Sequence, residues 1–162
     1  MPENFVIAPA TGPKDIENAR KLFAEYADWL DDAFGISLEF QGIAEELAGL
    51  PGKYAPPKGQ IWLAREDQGR AEACIAMRPF SDIDAERKRL YVRPGGRGAG
   101  LGEALVAVML DGAREAGYKR CVLDTAPGLR AAQCLYERLG FTDIPPYYHN
   151  PVPGVRYMAH TL

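Results

Sequence analysis

The sequence predicts an α/β fold built around one mixed sheet. Short apolar, β-branched stretches alternate with longer segments at helical spacing, in the order β-α-α-β-β-β-α-β-α-β-β. One of the strands, Leu90-Tyr91-Val92, passes through a basic, glycine-rich turn straight into a helix. The chain of 162 residues, 47% hydrophobic and 25% charged, fits one domain with a substantial core, and it carries no repeat, low-complexity run or linker.

Taken in order, Phe5 to Ala8 is a first strand stopped by Pro9. A helix starts around Thr11 to Asp15, with Pro13 in its first turn. Ile16, Ala19, Leu22, Phe23, Tyr26 and Leu30 give it one apolar stripe, and Gly35 ends it. A second helix is expected from Gln41 to Leu50, then a turn-rich surface loop from Leu50 to Gly59. Ile61 to Arg65 and Ala71 to Arg78 are strands joined by a hairpin turn at Asp67-Gln68-Gly69, and Ala85 to Val92 is the next strand. The helix from Leu101 is expected to bury Leu101, Leu105, Val108, Gly112 and Ala116 and to be capped by Gly117. Cys121 to Thr125 is a strand, Leu129 to Leu139 a helix closed by Gly140, Phe141 to Ile144 a short strand, and Val155 to Leu162 a last one.

A net charge of −3 argues against a general nucleic-acid binder. The first fifteen residues lack the basic start and apolar run of a signal peptide, and no apolar run is long enough to span a membrane, so a cytoplasmic protein is expected. Cys74, Cys121 and Cys134 are odd in number and sit in apolar segments; they read as reduced core thiols, with no metal-ligand spacing.

The segment LYVRPGGRGAGLG, Leu90 to Gly102, is where chemistry is most legible. A helix start offers N–H groups without acceptors and the positive end of the helix dipole. Gly98, Gly100 and Gly102 let a phosphate approach the backbone, and Arg93 and Arg97 add charges that can grip it. A phosphate or pyrophosphate ligand follows. The dinucleotide fingerprint fails, because Leu101 or Glu103 stands where its last glycine must be; the P-loop fails because Leu101 replaces its lysine. Arg97-Gly98-Ala99-Gly100-Leu101-Gly102 instead matches the R/Q-x-x-G-x-G/A signature of acyl-coenzyme A N-acyltransferases, and in it the chain resembles the GNAT superfamily.

That resemblance covers nearly the whole chain and is strongest from Ala85 to Leu162. It implies the GNAT-type acyl-CoA N-acyltransferase fold, with a mainly antiparallel central sheet and about four helices, as a single domain over residues 1–162. It implies acetyl-CoA as cosubstrate without a metal, a small-molecule or peptide amine as acceptor, and direct transfer in a ternary complex. Leu90, Tyr91 and Val92 would pair with the pantetheine arm, and Arg97, Gly98, Ala99, Gly100, Leu101 and Gly102 would cradle the pyrophosphate. Tyr136, within Arg130 to Phe141, aligns with the tyrosine that protonates the departing thiolate in the family; the family's asparagine early in this segment is absent, with Arg130 and Gln133 here.

Glu86, one face with Leu90 and Val92 by period two, is a candidate base of the kind some relatives use; it also reads as a solvated strand charge beside Arg87, Lys88 and Arg89. Glu72 has a similar claim and the same alternative, and His149 could be an acceptor-site base or a loop histidine facing water. In the family the acceptor site is lined by the first two helices and the loop before the last strand: here Tyr26, Trp29, Asp31, Asp32 and Phe34, and Pro146, Tyr147, Tyr148, His149 and Asn150. An acyl-CoA-binding sensor without catalysis is the alternative, and a homodimer, frequent in the family, stays open.

Overall fold

The computed structural model describes residues 4–67 and 69–162, so Gln68 of the expected hairpin turn lies outside it. Seven strands form one sheet: β1 Phe5–Pro9, β2 Gln60–Glu66, β3 Ala71–Pro79, β4 Asp84–Val92, β5 Arg120–Thr125, β6 Thr142–Asp143 and β7 Arg156–Thr161, in the spatial order β1-β2-β3-β4-β5-β7-β6. Every pairing is antiparallel except β4 with β5. Four α-helices cover it: α1 Gly12–Phe34, α2 Ile43–Ala48, α3 Leu101–Glu115 and α4 Arg130–Arg138. No described helix is long and apolar enough to cross a membrane.

Alternation along the strands sends side chains to two cores. Ile75, Met77, Ala85, Leu123 and Met158 pack under α3 and α4, while Ile61, Leu63, Cys74, Ala76 and Tyr91 pack under α1. The stripe on α1 is as its spacing predicts, with Ala19, Leu22, Phe23, Tyr26 and Leu30 buried, and Gly35 ends it at φ +65°. The second helix is shorter than expected: Leu38–Gln41 is a 3₁₀ turn, broken from α2 by Gly42 at φ +69°.

Two expectations about burial are corrected. In α3, Leu101 and Leu105 are buried as read, but the face continues through Val106, Met109, Leu110 and Ala113, whereas Val108, Gly112 and Ala116 are only half-buried. The helix is apolar on more than one side, so spacing alone left its rotation undetermined. Gly112 has a different task, because Trp62 lies against it: a Cβ there would fall 2.5 Å from the indole Cζ2. Of the cysteines, Cys74 and Cys121 are buried, but Cys134 is exposed on the outer face of α4.

The feature that makes a site is the behaviour of β4. It pairs with β5 only at Asp84–Arg120, Ala85–Cys121 and Glu86–Val122. Between the Cys74–Tyr91 and Ala76–Lys88 pairs, two steps on β3 oppose three on β4, a bulge at which Arg89 sits at φ +58°. The extra residue reverses the alternation, so Ala85 and Arg87 share a face with Leu90 and Val92, while Glu86 and Lys88 share the other with Tyr91. Glu86 is therefore not on the face of Leu90 and Val92, because period two does not run through a bulge.

Candidate active site

Beyond Glu86 and Val122 the two parallel strands part, and the gap is a cleft of about 460 Å³. Its walls are Arg87 to Val92 of β4, Asp124 and Thr125 of β5, Tyr26 and Trp29 of α1, and Leu135 and Tyr136 of α4. Arg87 spans the fork, donating from Nη2 to the Asp124 carbonyl at 2.6 Å. The Arg93 N–H donates to the Glu72 carbonyl on β3, so by alternation the N–H groups of Val92 and Leu90 turn to the opposite edge, into the cleft. Leu90 and Val92 thus offer main-chain groups to an extended ligand, while the Tyr91 ring is buried against Tyr26 and Trp29.

At the cleft's end the turn reaches α3. Gly98 and Gly100 take φ +82° and +78°, conformations that favour glycine, and Gly100 caps the helix. The first helical N–H groups, at Leu101 and Gly102, have no acceptor within the helix, and Ala99 and Gly100 before them are exposed. Leu101 contributes only backbone, its side chain being core. Arg97 lies over the Trp29 ring, 5.2 Å from its centroid, and its Nε donates to the Val92 carbonyl. Arg93 does not join the cradle: it turns to Glu25, with which it forms an ion pair, and to the Ala71 carbonyl. An anion fits this turn, since its glycine φ values and the first helical N–H groups meet at one helix end, and Arg97 precedes it in the chain.

Tyr136 stands on the α3–α4 side of the cleft, 1% exposed, with its ring against Phe141 and the Arg87 guanidinium 5.3 Å from its centroid. Burial pushes its phenol up to about 12, against the pull of Arg87. It is a protonated donor at neutral pH. Arg130 lines the cleft, whereas Gln133 is turned to the Ala126 carbonyl and to Arg156.

The opposite wall is a buried polar chain. Arg87, Lys88 and Arg89 are all buried, so the picture of a solvated run of charge is wrong. Arg89 holds Glu46 of α2 through two hydrogen bonds of 2.9 Å, which keeps that carboxyl below its ordinary range despite burial. Glu86 accepts from Arg78 at 2.9 Å and from the Tyr147 hydroxyl at 2.7 Å, and it is not among the residues that line the cleft. Lys88 does line it, donating to Gln41 Oε1 at 2.9 Å; burial, then the neighbouring Arg89 charge, lower its ammonium to about 8.

Asp124 faces Lys88 across the cleft and is the carboxylate that the sequence reading missed. Burial would raise its pKa, but the Lys88 charge and hydrogen bonds from Tyr148 and Asn150 outweigh that and hold it low. The available signal was period two on β5: Cys121 and Leu123 go to one core, which leaves Asp124 on the other face. Of the acceptor-loop residues, Tyr147, Tyr148 and Asn150 join this wall, while Pro146 and His149 are exposed. Tyr26, Trp29 and Phe34 line the cleft as expected, but Asp31 and Asp32 are exposed. Glu72 pairs with Arg70 away from the cleft.

Residues 57–143 match the model of the acetyltransferase (GNAT) domain. An uncharacterized N-acetyltransferase of Schizosaccharomyces pombe is 41% identical over 97% of this chain and 94% of its own. The crystal structure of an acetyltransferase from Streptococcus agalactiae superposes over 99% of both chains with a TM-score of 0.80 at 22% identity. A GNAT family acetyltransferase from Elizabethkingia anophelis, solved with acetyl-CoA bound, covers 99% of both chains with a TM-score of 0.64 at 18% identity. With its signature at Arg97 to Gly102, its forked β4–β5 pair and these relatives, the chain belongs to the GNAT acetyltransferase family.

Proposed function

We propose that the whole chain is one N-acetyltransferase domain that moves an acetyl group from acetyl-CoA to an amine, in the cytoplasm. The observation that carries this is the continuity of the cleft. The free edge of β4 at Leu90 and Val92, the glycine turn at the start of α3, and Tyr136 all open on it or adjoin it. Acetyl-CoA, when bound, supplies an activated thioester carbonyl. Arg97 and the N–H groups of Leu101 and Gly102 hold the pyrophosphate, with Gly98, Ala99 and Gly100 keeping the turn open. Leu90 and Val92 pair with the pantetheine arm, whereas Tyr91, expected to join them, keeps its main chain on Cys74 of β3; the Val92 N–H stabilises charge developing on the carbonyl oxygen.

Attack by the neutral amine forms the C–N bond as the C–S bond breaks. Tyr136 gives its proton to the leaving thiolate, and the proton from the amine nitrogen passes to Asp124 or to water. Glu86, tied to Arg78 and Tyr147, supports this wall from behind.

Calorimetric titration with acetyl-CoA, followed by thiol release in the presence of amines, tests the reading. We expect micromolar-range binding by the wild type and a loss of at least about tenfold, about 1.4 kcal/mol, in the folded double variant Arg97→Glu, Gly100→Val. Failure of the folded wild type to bind acetyl-CoA overturns the proposal; binding without transfer to any amine favours the sensor.

A further inference from the structure

We propose that the acceptor is a small amino acid zwitterion, its amine held at Asp124 and its carboxylate at Lys88. This rests on the acetyltransferase reading and specifies its second substrate.

Some charges in the polar wall are already matched. Arg89 is satisfied by both oxygens of Glu46, and Glu86 by Arg78. Lys88 and Asp124 remain on the acceptor side; Arg87, also without an ion pair among the described residues, lies on the Tyr136 side and donates to the Asp124 carbonyl. Lys88 and Asp124 both line the cleft, and among the described residues neither forms an ion pair. They carry opposite charges yet are held apart by neutral groups. Lys88 Nζ donates to Gln41 Oε1; Gln41 Nε2 donates to the Tyr148 hydroxyl at 3.1 Å; the Tyr148 hydroxyl donates to Asp124 Oδ2. Asn150 Nδ2 donates to the same carboxylate oxygen at 2.7 Å. Gln41 also accepts from Arg89, so its amide is locked in one orientation. This hydrogen-bonded relay sets a negative group at one end of the acceptor wall and a positive group at the other.

Lys88 is buried and Asp124 half-buried, and holding a charge away from water without an ion-pair partner is costly. A ligand bearing both complementary charges removes the cost at both ends. An ammonium or amine meets Asp124, which lines the cleft and whose two side-chain hydrogen bonds both fall on Oδ2. A carboxylate meets Lys88, which spends one of its three donors on Gln41. A diamine would instead bring a second cation toward Lys88 and Arg89. A peptide N-terminus would bring a neutral amide and leave Lys88 uncompensated. The separation of Lys88 from Asp124 by two side chains is what selects a zwitterion over either.

The test uses the purified chain with acetyl-CoA and a panel of free amino acids, their matched C-terminal amides and aliphatic diamines, read by thiol release and product mass. For the best amino acid, kcat/KM exceeds that of its amide by at least about tenfold, or about 1.4 kcal/mol, chiefly through KM. Lys88→Met, verified as folded by its thermal transition, brings the acid-to-amide ratio close to one, and Lys88→Arg restores part of it. Equal use of acids and amides, a diamine better than every acid, or an unchanged ratio in Lys88→Met each overturns the zwitterion. So does acetyl-CoA binding with transfer to none of the panel. Absence of acetyl-CoA binding is a separate failure, of the acetyltransferase reading, and takes this assignment with it.

Discussion

Replacing Lys88 by methionine should make the protein more stable at neutral pH. Lys88 is 3% exposed, and its ammonium is lowered from 10.5 to about 8. A displacement of that size corresponds to about 3 kcal/mol by which the folded state disfavours the charged form. The groups facing it are Arg78 on β3, Glu86 and Arg89 on β4, Asp124 on β5 and the Gln41 amide; burial and the two arginines lower it, and the two carboxylates only partly offset them. Methionine keeps the length of the side chain and removes the charge, but gives up the hydrogen bond to Gln41, worth about 1 kcal/mol. The net gain is about 2 kcal/mol at pH 7, or about 4–8 °C in Tm for a chain of this size.

The pH dependence follows from where each state holds the proton. Below pH 8 both the folded and the unfolded chain carry it, so the full penalty applies. Between about 8 and 10.5 the unfolded chain still binds it and the folded chain does not, so wild-type stability rises with pH relative to the variant; above 10.5 the penalty is gone and the wild type is the more stable by its Gln41 hydrogen bond, about 1 kcal/mol. Urea melts of both proteins from pH 7 to 10.5 measure this. A variant less stable than wild type at pH 7, or a difference that stays flat across that range, refutes the reasoning.

Tyr136→Phe keeps the ring packed on Phe141 and under Arg87 while deleting the proton donor. Stopped-flow or steady-state thiol release should show kcat lowered by about 10²-fold or more with the acetyl-CoA KM little changed. A variant at wild-type kcat removes Tyr136 from the chemistry. Gly112→Val places a Cβ 2.5 Å from the Trp62 ring, so overpacking should cost about 2–3 kcal/mol with no specific effect on acetyl-CoA affinity. Denaturant melts followed by Trp fluorescence check it, and an unchanged midpoint would mean that Trp62 has room to move.

Much of this architecture is readable from local signals. The stripe on α1, the glycine ends of the helices and the strand–turn–helix cradle are set by residues close together in sequence, and they lie where spacing puts them. What could not be read depends on partners distant in the chain. Arginine is an unusual residue for φ +58°, a conformation that costs a non-glycine residue about 1 kcal/mol. Nothing near Arg89 in the sequence announces it; the fixed guanidinium pair with Glu46, 43 residues away, holds it there. Arg93 was misread for the same reason, its partner Glu25 being 68 residues distant. Asp124 looked like an ordinary strand residue until Tyr148 and Asn150 closed over it from the loop before β7.

The bulge also explains how one strand can serve both halves of the reaction. In a regular strand Arg87 and Arg89 would point one way and Lys88 the other. With Arg89 in the left-handed region, Arg87 points toward Tyr136, while Lys88 and Arg89 both point to the acceptor wall, where Gln41 accepts from each. Arg89 spends its charge on Glu46 and so anchors α2; Lys88 is left with an amide as partner. The same local distortion turns the main chain of Leu90 and Val92 to the fork between β4 and β5. A single inserted residue therefore sets Arg87 beside Tyr136, Lys88 beside Gln41, and the free strand edge between them. Its roughly 1 kcal/mol of backbone strain is small beside the cost of holding Lys88 buried without an ion pair, so it is the wall around Lys88 and Asp124, rather than the turn at α3, that carries the zwitterion proposal.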